Sequence, residues 1–177
     1  MKTRLKIILF CASSVLFIGC DQVTKHLAKQ HLMFREPITY LHKTIVLEYV
    51  ENTGAALSLG DNLSKPVSFW LLSIVPLVCL IVLFIYIIRK IRDFNRLKLF
   101  SFSMILAGGL GNIIDRLAHD RHVTDFLNVG INNFRTGIFN VADMCVTAGV
   151  VGLLIAAYTD KKDDGPIQTE SPAQTEL

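Results

Sequence analysis

Two short echoes hold the residues that could do chemistry. Gly111-Asn112-Ile113-Ile114-Asp115 is answered in pattern by Phe139-Asn140-Val141-Ala142-Asp143, and a third carboxylate, Asp125, stands between them in His122-Val123-Thr124-Asp125-Phe126. On a helix, i to i+3 spacing puts each Asn and its Asp on one face. Two carboxylates held close cannot both ionise cheaply, so they share a proton: the neutral member serves as acid and the ionised one as base toward water. That is hydrolysis of the aspartic-protease kind. Arg116 directly follows Asp115 and predicts a fixed ion-pair role for it, whereas Asp125 and Asp143 have no adjacent cation. Spacing alone leaves the pair open, with the latter two preferred.

Other hydrolytic chemistries fit less well. His119-Asp120-Arg121-His122 has neither the spacing nor the Glu of a zinc-binding His-Glu-x-x-His. All five histidines (His26, His31, His42, His119, His122) fall in segments expected outside the membrane, away from any serine at membrane depth. Gly109-Leu110-Gly111-Asn112 lacks the Asp of the intramembrane Gly-x-Gly-Asp motif.

The elements that must position these aspartates are membrane helices. Of 177 residues 51% are hydrophobic and 19% charged, and mean hydropathy is positive, which suits one membrane domain better than a soluble one. A formal charge of +3 is too mild for a nucleic-acid footprint. Pro66 to Ile88 runs 23 residues without charge, enough to span about 30 Å of hydrocarbon. Ile7 to Cys20, Leu99 to Ile114 and Gly137 to Tyr158 supply three more apolar stretches, the last with Asp143 as its only charge. Expected helices cover about 6–25, 66–88, 98–117 and 137–159, in a single domain of residues 1–159 with a disordered tail over 160–177.

Basic residues set the orientation. Lys2, Arg4 and Lys6 precede the first helix, Arg89, Lys90, Arg92, Arg96 and Lys98 lie between the second and third, and Lys161 and Lys162 follow the fourth. These segments, both termini and the tail are expected in the cytoplasm. The end of helix 3 and the start of helix 4 then meet under the outer surface, with the Asn-x-x-Asp pairs at one depth. A carboxylate in a spanning helix costs about 2.5–3.5 kcal/mol, so Asp143 is expected either to serve a site or to act as polar glue between helices.

Gly108, Gly109 and Gly111 allow close backbone approach, for helix packing or equally to admit an extended peptide. Asp21 and Lys25 stand at i, i+4, and Asn52-Thr53-Gly54-Ala55-Ala56-Leu57-Ser58 suits a turn near a binding site. Thr44 to Val50 reads as a strand. Cys11, Cys20, Cys79 and Cys145 form no close pair and are expected to be buried small hydrophobes.

Together Asp21-Gln22-Val23-Thr24-Lys25, Asn52 to Ser58, Gly108 to Arg116, Val123 to Phe126 and Phe139 to Asp143 resemble, in order, the blocks of the bacterial lipoprotein signal peptidase family, signal peptidase II. The resemblance implies an all-α bundle of four transmembrane helices with a small β-like cradle between helices 1 and 2, built from segment 26–65. It implies a membrane-embedded aspartic endopeptidase that removes signal peptides from prolipoproteins by cutting before a diacylglyceryl-modified cysteine. Asp125 and Asp143 match the family's catalytic pair; Asn112 and Asn140 would bond the dyad or substrate, Arg116 would brace the site, and Asp115, Asn52, Asp21, Lys25 and Gly108 would support it. Leu57, where the family has an aromatic, and Thr124, where it has an aliphatic residue, would alter pocket shape. No cofactor or metal is implied. The expected partners are modified prolipoproteins and membrane lipids, with the chain a monomer in the bacterial plasma (inner) membrane and its site near the extracytoplasmic face.

Two other readings make different predictions. Intramembrane Asp and Asn also serve ion-coupled transporters, although four helices are few for alternating access. Val15-Leu16-Phe17-Ile18-Gly19-Cys20 after a basic start resembles a lipoprotein processing site, which would make the chain a substrate; the later helices argue against it.

Overall fold

The structure, a computed structural model, describes residues 2–54 and 63–163. Four helices in it are long and apolar enough to cross a membrane: Thr3–Leu32, Lys65–Lys90, Arg96–Ala118 and Val141–Asp163. The first buries Phe10, Ser14, Asp21, Lys25, Ala28 and Leu32, a stripe whose spacings of three, four and seven keep to one face. Its other face, with Ile8, Val15, Leu16 and Val23, is exposed. With 30 residues at about 1.5 Å each it is about 45 Å long. It therefore outruns its apolar stretch and carries Asp21 and Lys25 up beneath the sheet.

In the second helix the turn Trp70–Ile74 is a π-helix. Pro76 follows and has no N–H to offer the carbonyl of Leu72, so the widened turn absorbs a missing helical bond. The third helix starts at Asn95, whose side chain accepts a hydrogen bond from the Lys98 amide at 2.8 Å. It crosses the fourth where glycines let the backbones touch. A Cβ on Gly108 would collide with the Ala142 carbonyl, and one on Gly149 would sit 2.6 Å from the Ser101 carbonyl.

Far from the sheet the bundle closes over Phe10, Ile87, Ile91, Phe94, Leu99 and Leu106. The rings of Phe94 and Phe102 lie 5.0 Å apart, a separation favourable for aromatic pairs. Lys6 ties the first helix to this end by donating to the Arg92 and Phe94 carbonyls at 2.7 and 2.6 Å.

At the other end four strands, β1 (Ile38–Tyr40), β2 (Ile45–Asn52), β3 (Val123–Ile131) and β4 (Phe134–Arg135), form one antiparallel sheet in chain order. Segment 26–65 alone was expected to build it, but half comes from the connection between the third and fourth helices. A two-stranded hairpin is marginal by itself, and β3 gives β2 its long partner. The fourth helix begins at Val141, not at 137 as expected, because Phe139 is held in a bridge with Leu127. It runs on through Asp163, past the expected limit of 159. The four cysteines are all free, but only Cys145 is buried; Cys11, Cys20 and Cys79 lie exposed, on outward faces where acyl chains solvate small apolar groups. Residues 55–62, with Leu57 and the second half of its block, and the tail from 164 lie outside the described residues.

Candidate active site

Asp125 comes from near the start of β3 and Asp143 from the first turn of the fourth helix. The local sequence explains the second placement. Asn140 accepts from the Asp143 amide at 3.0 Å through Oδ1, and Asp143 Oδ2 accepts from the Asn140 amide at 3.1 Å. This reciprocal arrangement is a capping box, with Asp in the place Glu often takes. Asn140 and Asp143 therefore share not a helix face but a helix start.

Amides aim both carboxylates. Asn140 Nδ2 donates to Asp125 Oδ1 at 2.6 Å, Asn52 Nδ2 to Asp125 Oδ2 at 2.9 Å, and Asn112 Nδ2 to Asp143 Oδ1 at 2.9 Å. Asn140, fully buried, thus touches both aspartates, one through its side chain and one through its main chain. Burial pushes Asp125 up from 3.8 to about 6; the Asn52 bond opposes this and the charge of Asp143 adds to it. Burial likewise pushes the nearby Tyr49 to about 12, so it remains a phenol that donates to Glu51 at 2.7 Å.

Behind the amides lies a buried charge cluster. Lys25 Nζ sits 2.8 Å from Asp21 Oδ2, 2.9 Å from Asp115 Oδ2 and 2.9 Å from Asn112 Oδ1. The three charged residues are 1%, 2% and 4% exposed for Asp21, Asp115 and Lys25, so each needs the others. Lys25 and Asn140 both donate to Asn112 Oδ1, which leaves the Asn112 N–H groups facing Asp143. Asp21 Oδ1 accepts the Ala142 amide at 2.9 Å, and Asp115 Oδ2 accepts the Thr124 amide at 3.3 Å. The cluster thereby fixes the residues next to both aspartates.

Asp115 is not paired with Arg116 as expected; its cation is Lys25, and Arg116 Nη2 donates to the Gly54 carbonyl at 2.7 Å. Neighbours on a helix point about 100° apart, so adjacency in sequence is not adjacency in space. Gly108 does not line the site either. It serves the helix crossing at Ala142, while Gly109 lines the cavity. Gln22, absent from the sequence reading as a site residue, donates to Asp115 Oδ1 at 2.9 Å. Its place beside Asp21 in a quoted block was the only signal.

The cavity between sheet and bundle holds about 450 Å³. Its lining includes the polar Asn52, Asn112, Arg116, Asp125 and Asp143 and the apolar Leu72, Pro76, Gly109 and Val146. Such a lining can hold a polar reacting group and accept apolar chain beside it.

The model of the family Signal peptidase (SPase) II matches residues 13–159. A lipoprotein signal peptidase of Francisella tularensis subsp. novicida (strain U112) is 38% identical over 149 residues, covering 84% of this chain and 91% of that protein. One of Streptococcus agalactiae serotype Ia is 32% identical over 150 residues, covering 85% and 92%. A solved bacterial membrane enzyme superposes with a TM-score of 0.74 at 28% identity, covering 95% of this chain and 96% of its own.

Proposed function

The chain belongs to the signal peptidase II family and is a multi-pass membrane protease that removes signal peptides from prolipoproteins; on that premise we propose that Asp125 and Asp143 are its catalytic pair. The ion-coupled reading is left without support by these relatives. The observation that carries the assignment is Asn140, which bonds Asp125 with its side chain and Asp143 with its main chain on the wall of one cavity.

The mechanism follows from the donors. Asp125, pushed up to about 6, holds the shared proton and offers it to the carbonyl oxygen of the scissile bond. Asp143, aimed by Asn112 and by its own helix cap, takes a proton from water as the water oxygen attacks the carbonyl carbon. Collapse of the tetrahedral intermediate breaks the C–N bond: the proton gained by Asp143 passes to the leaving amine, and Asp125 takes back a proton from the hydroxyl as the carbonyl re-forms. Asn52, Asn112 and Asn140 are positioning residues; Asp21, Lys25 and Asp115 hold them; Arg116 braces Gly54 beside Asn52. The cut falls before a diacylglyceryl-modified cysteine.

The basic residues support cytoplasmic ends for the chain, hence a cavity near the extracytoplasmic face of the inner membrane, in a monomeric domain of residues 1–159 followed by a cytoplasmic tail. The decisive experiment is a gel-shift assay of detergent-purified protein on a diacylglyceryl-modified prolipoprotein. Wild type cuts, and Asp125→Asn and Asp143→Asn do not. Cutting by Asp125→Asn alongside an inactive Asp115→Asn would move the dyad.

A further inference from the structure

We infer that the sheet carries a separate subsite for the first residues of the mature chain, and that Glu48 makes it favour side chains that donate hydrogen bonds or carry positive charge. This rests on the functional reading above and names which part of the substrate the sheet takes.

The register of β2 on β3 is the starting point. Val46 pairs with Asn128 and Val50 with Asp125, so β2 takes four steps where β3 takes three, and the shift lies between Leu47 and Val50. Such a bulge re-aims side chains and is common beside active sites. Here Glu48 and Tyr49 together stand against the single residue Phe126, outside the regular pairing. A second cavity of about 450 Å³ sits at that place, lined by Glu48, Val50, Asn128 and Arg135, and it shares Asn52 and Asp125 with the catalytic cavity. The two are one groove passing over Asp125.

The groove's ends differ in chemistry. Toward the helices its wall is Leu72, Pro76, Gly109 and Val146, which fits an apolar signal peptide. Toward the sheet Glu48, Asn128 and Arg135 add polar groups, which fit the mature chain. The fixed groups there leave an acceptor for that chain. Arg135 directs its N–H groups at Asn128 Oδ1, at the Lys43 carbonyl at 2.8 Å and at the Gly130 carbonyl at 3.5 Å. Asn128 Nδ2 donates to the Thr136 carbonyl at 2.7 Å. Glu48 joins no ion pair among the described residues. An incoming Lys, Arg or Ser finds the Glu48 carboxylate to bond, whereas an incoming Asp meets that like charge and finds the Arg135 N–H groups already engaged by neutral acceptors.

The test uses full-length protein in detergent and three modified prolipoproteins that differ only in the residue after the lipidated cysteine: Lys, Ser or Asp. The readout is the Lys-to-Asp ratio of kcat/KM, which is internal to each preparation and so unaffected by any unfolded fraction. Wild type is expected to favour Lys by about two- to fivefold, the size of a partly exposed charge interaction. Glu48→Gln should bring the ratio toward one, and Glu48→Lys should invert it. One ratio in all three enzymes, with the Ser substrate cut, would overturn the subsite alone. Failure of wild type to cut even the Ser substrate would overturn the functional reading and the subsite with it.

Discussion

The two ends of this bundle solve the same packing problem with opposite materials. One end closes over Phe10, Ile87, Ile91, Phe94, Leu99 and Leu106, where each contact is weak, undirected and replaceable. The other closes over Asp21, Lys25, Asn112, Asp115 and Asn140, each fixed by named donors and acceptors at 2.6–3.3 Å. The apolar end loses stability in proportion to what is removed. The polar end is all or nothing, because a removed partner leaves a buried charge behind. Precision at the aspartates is obtained from the end that tolerates change least.

The sharpest way to press the contrast is at the reacting groups themselves. Asp143→Asn keeps the acceptor for Asn112 and should remain folded, yet lose about 10³-fold or more in kcat; cleavage rate and thermal unfolding in detergent, measured together, check this. Next comes the cation behind them. Lys25→Met leaves Asp21 and Asp115 buried without their cation and should cost about 3–5 kcal/mol. Adding Asp21→Asn and Asp115→Asn to it should recover much of that stability but not the activity, since Asn112 would lose one of the two donors that hold its Oδ1.

At the apolar end Phe94→Ala should cost about 3 kcal/mol while kcat/KM stays within about twofold of wild type. A large loss of kcat/KM there would mean that the two ends are coupled and the contrast is wrong. The smallest expected effect is electrostatic. Asp125 holds its proton to about 6 in the folded chain against 3.8 as an ordinary carboxylate, so its stability contribution is full below 3.8 and is lost as pH rises through about 6. The gap corresponds to about 3 kcal/mol, reduced to about 2 because the cavity opens to solvent on one side. Between pH 4 and pH 8, Asp125→Asn should therefore gain on wild type by about that amount in unfolding free energy. The same titration predicts that wild-type kcat/KM declines above about pH 6.

The helices were legible because apolar runs long enough to span a bilayer have few other uses, and the Asn-x-x-Asp echo marked where they would meet. Much of the sheet was not. Val123–Ile131 alternates poorly, since Asp125 and Asn128 both turn toward the groove and are buried there by polar partners. The Asn140 cap was hidden by the apolar run around it, which reads as helix from 137 onward. Lys25 as the partner of Asp115 was out of reach because 90 residues separate them in sequence while Arg116 stood next door.

The unbroken course of the first helix has one more consequence. Its Val15-to-Cys20 stretch looks like the very sequence this family cuts, and nothing packs against Gly19. Yet helix continues through that bond to Leu32, and Thr24 Oγ1 adds a hydrogen bond to the Cys20 carbonyl at 2.8 Å. A protease that reads extended chain would first have to unwind its own structural brace. Across that bond the first helix offers folded backbone where a substrate would have to offer extended chain.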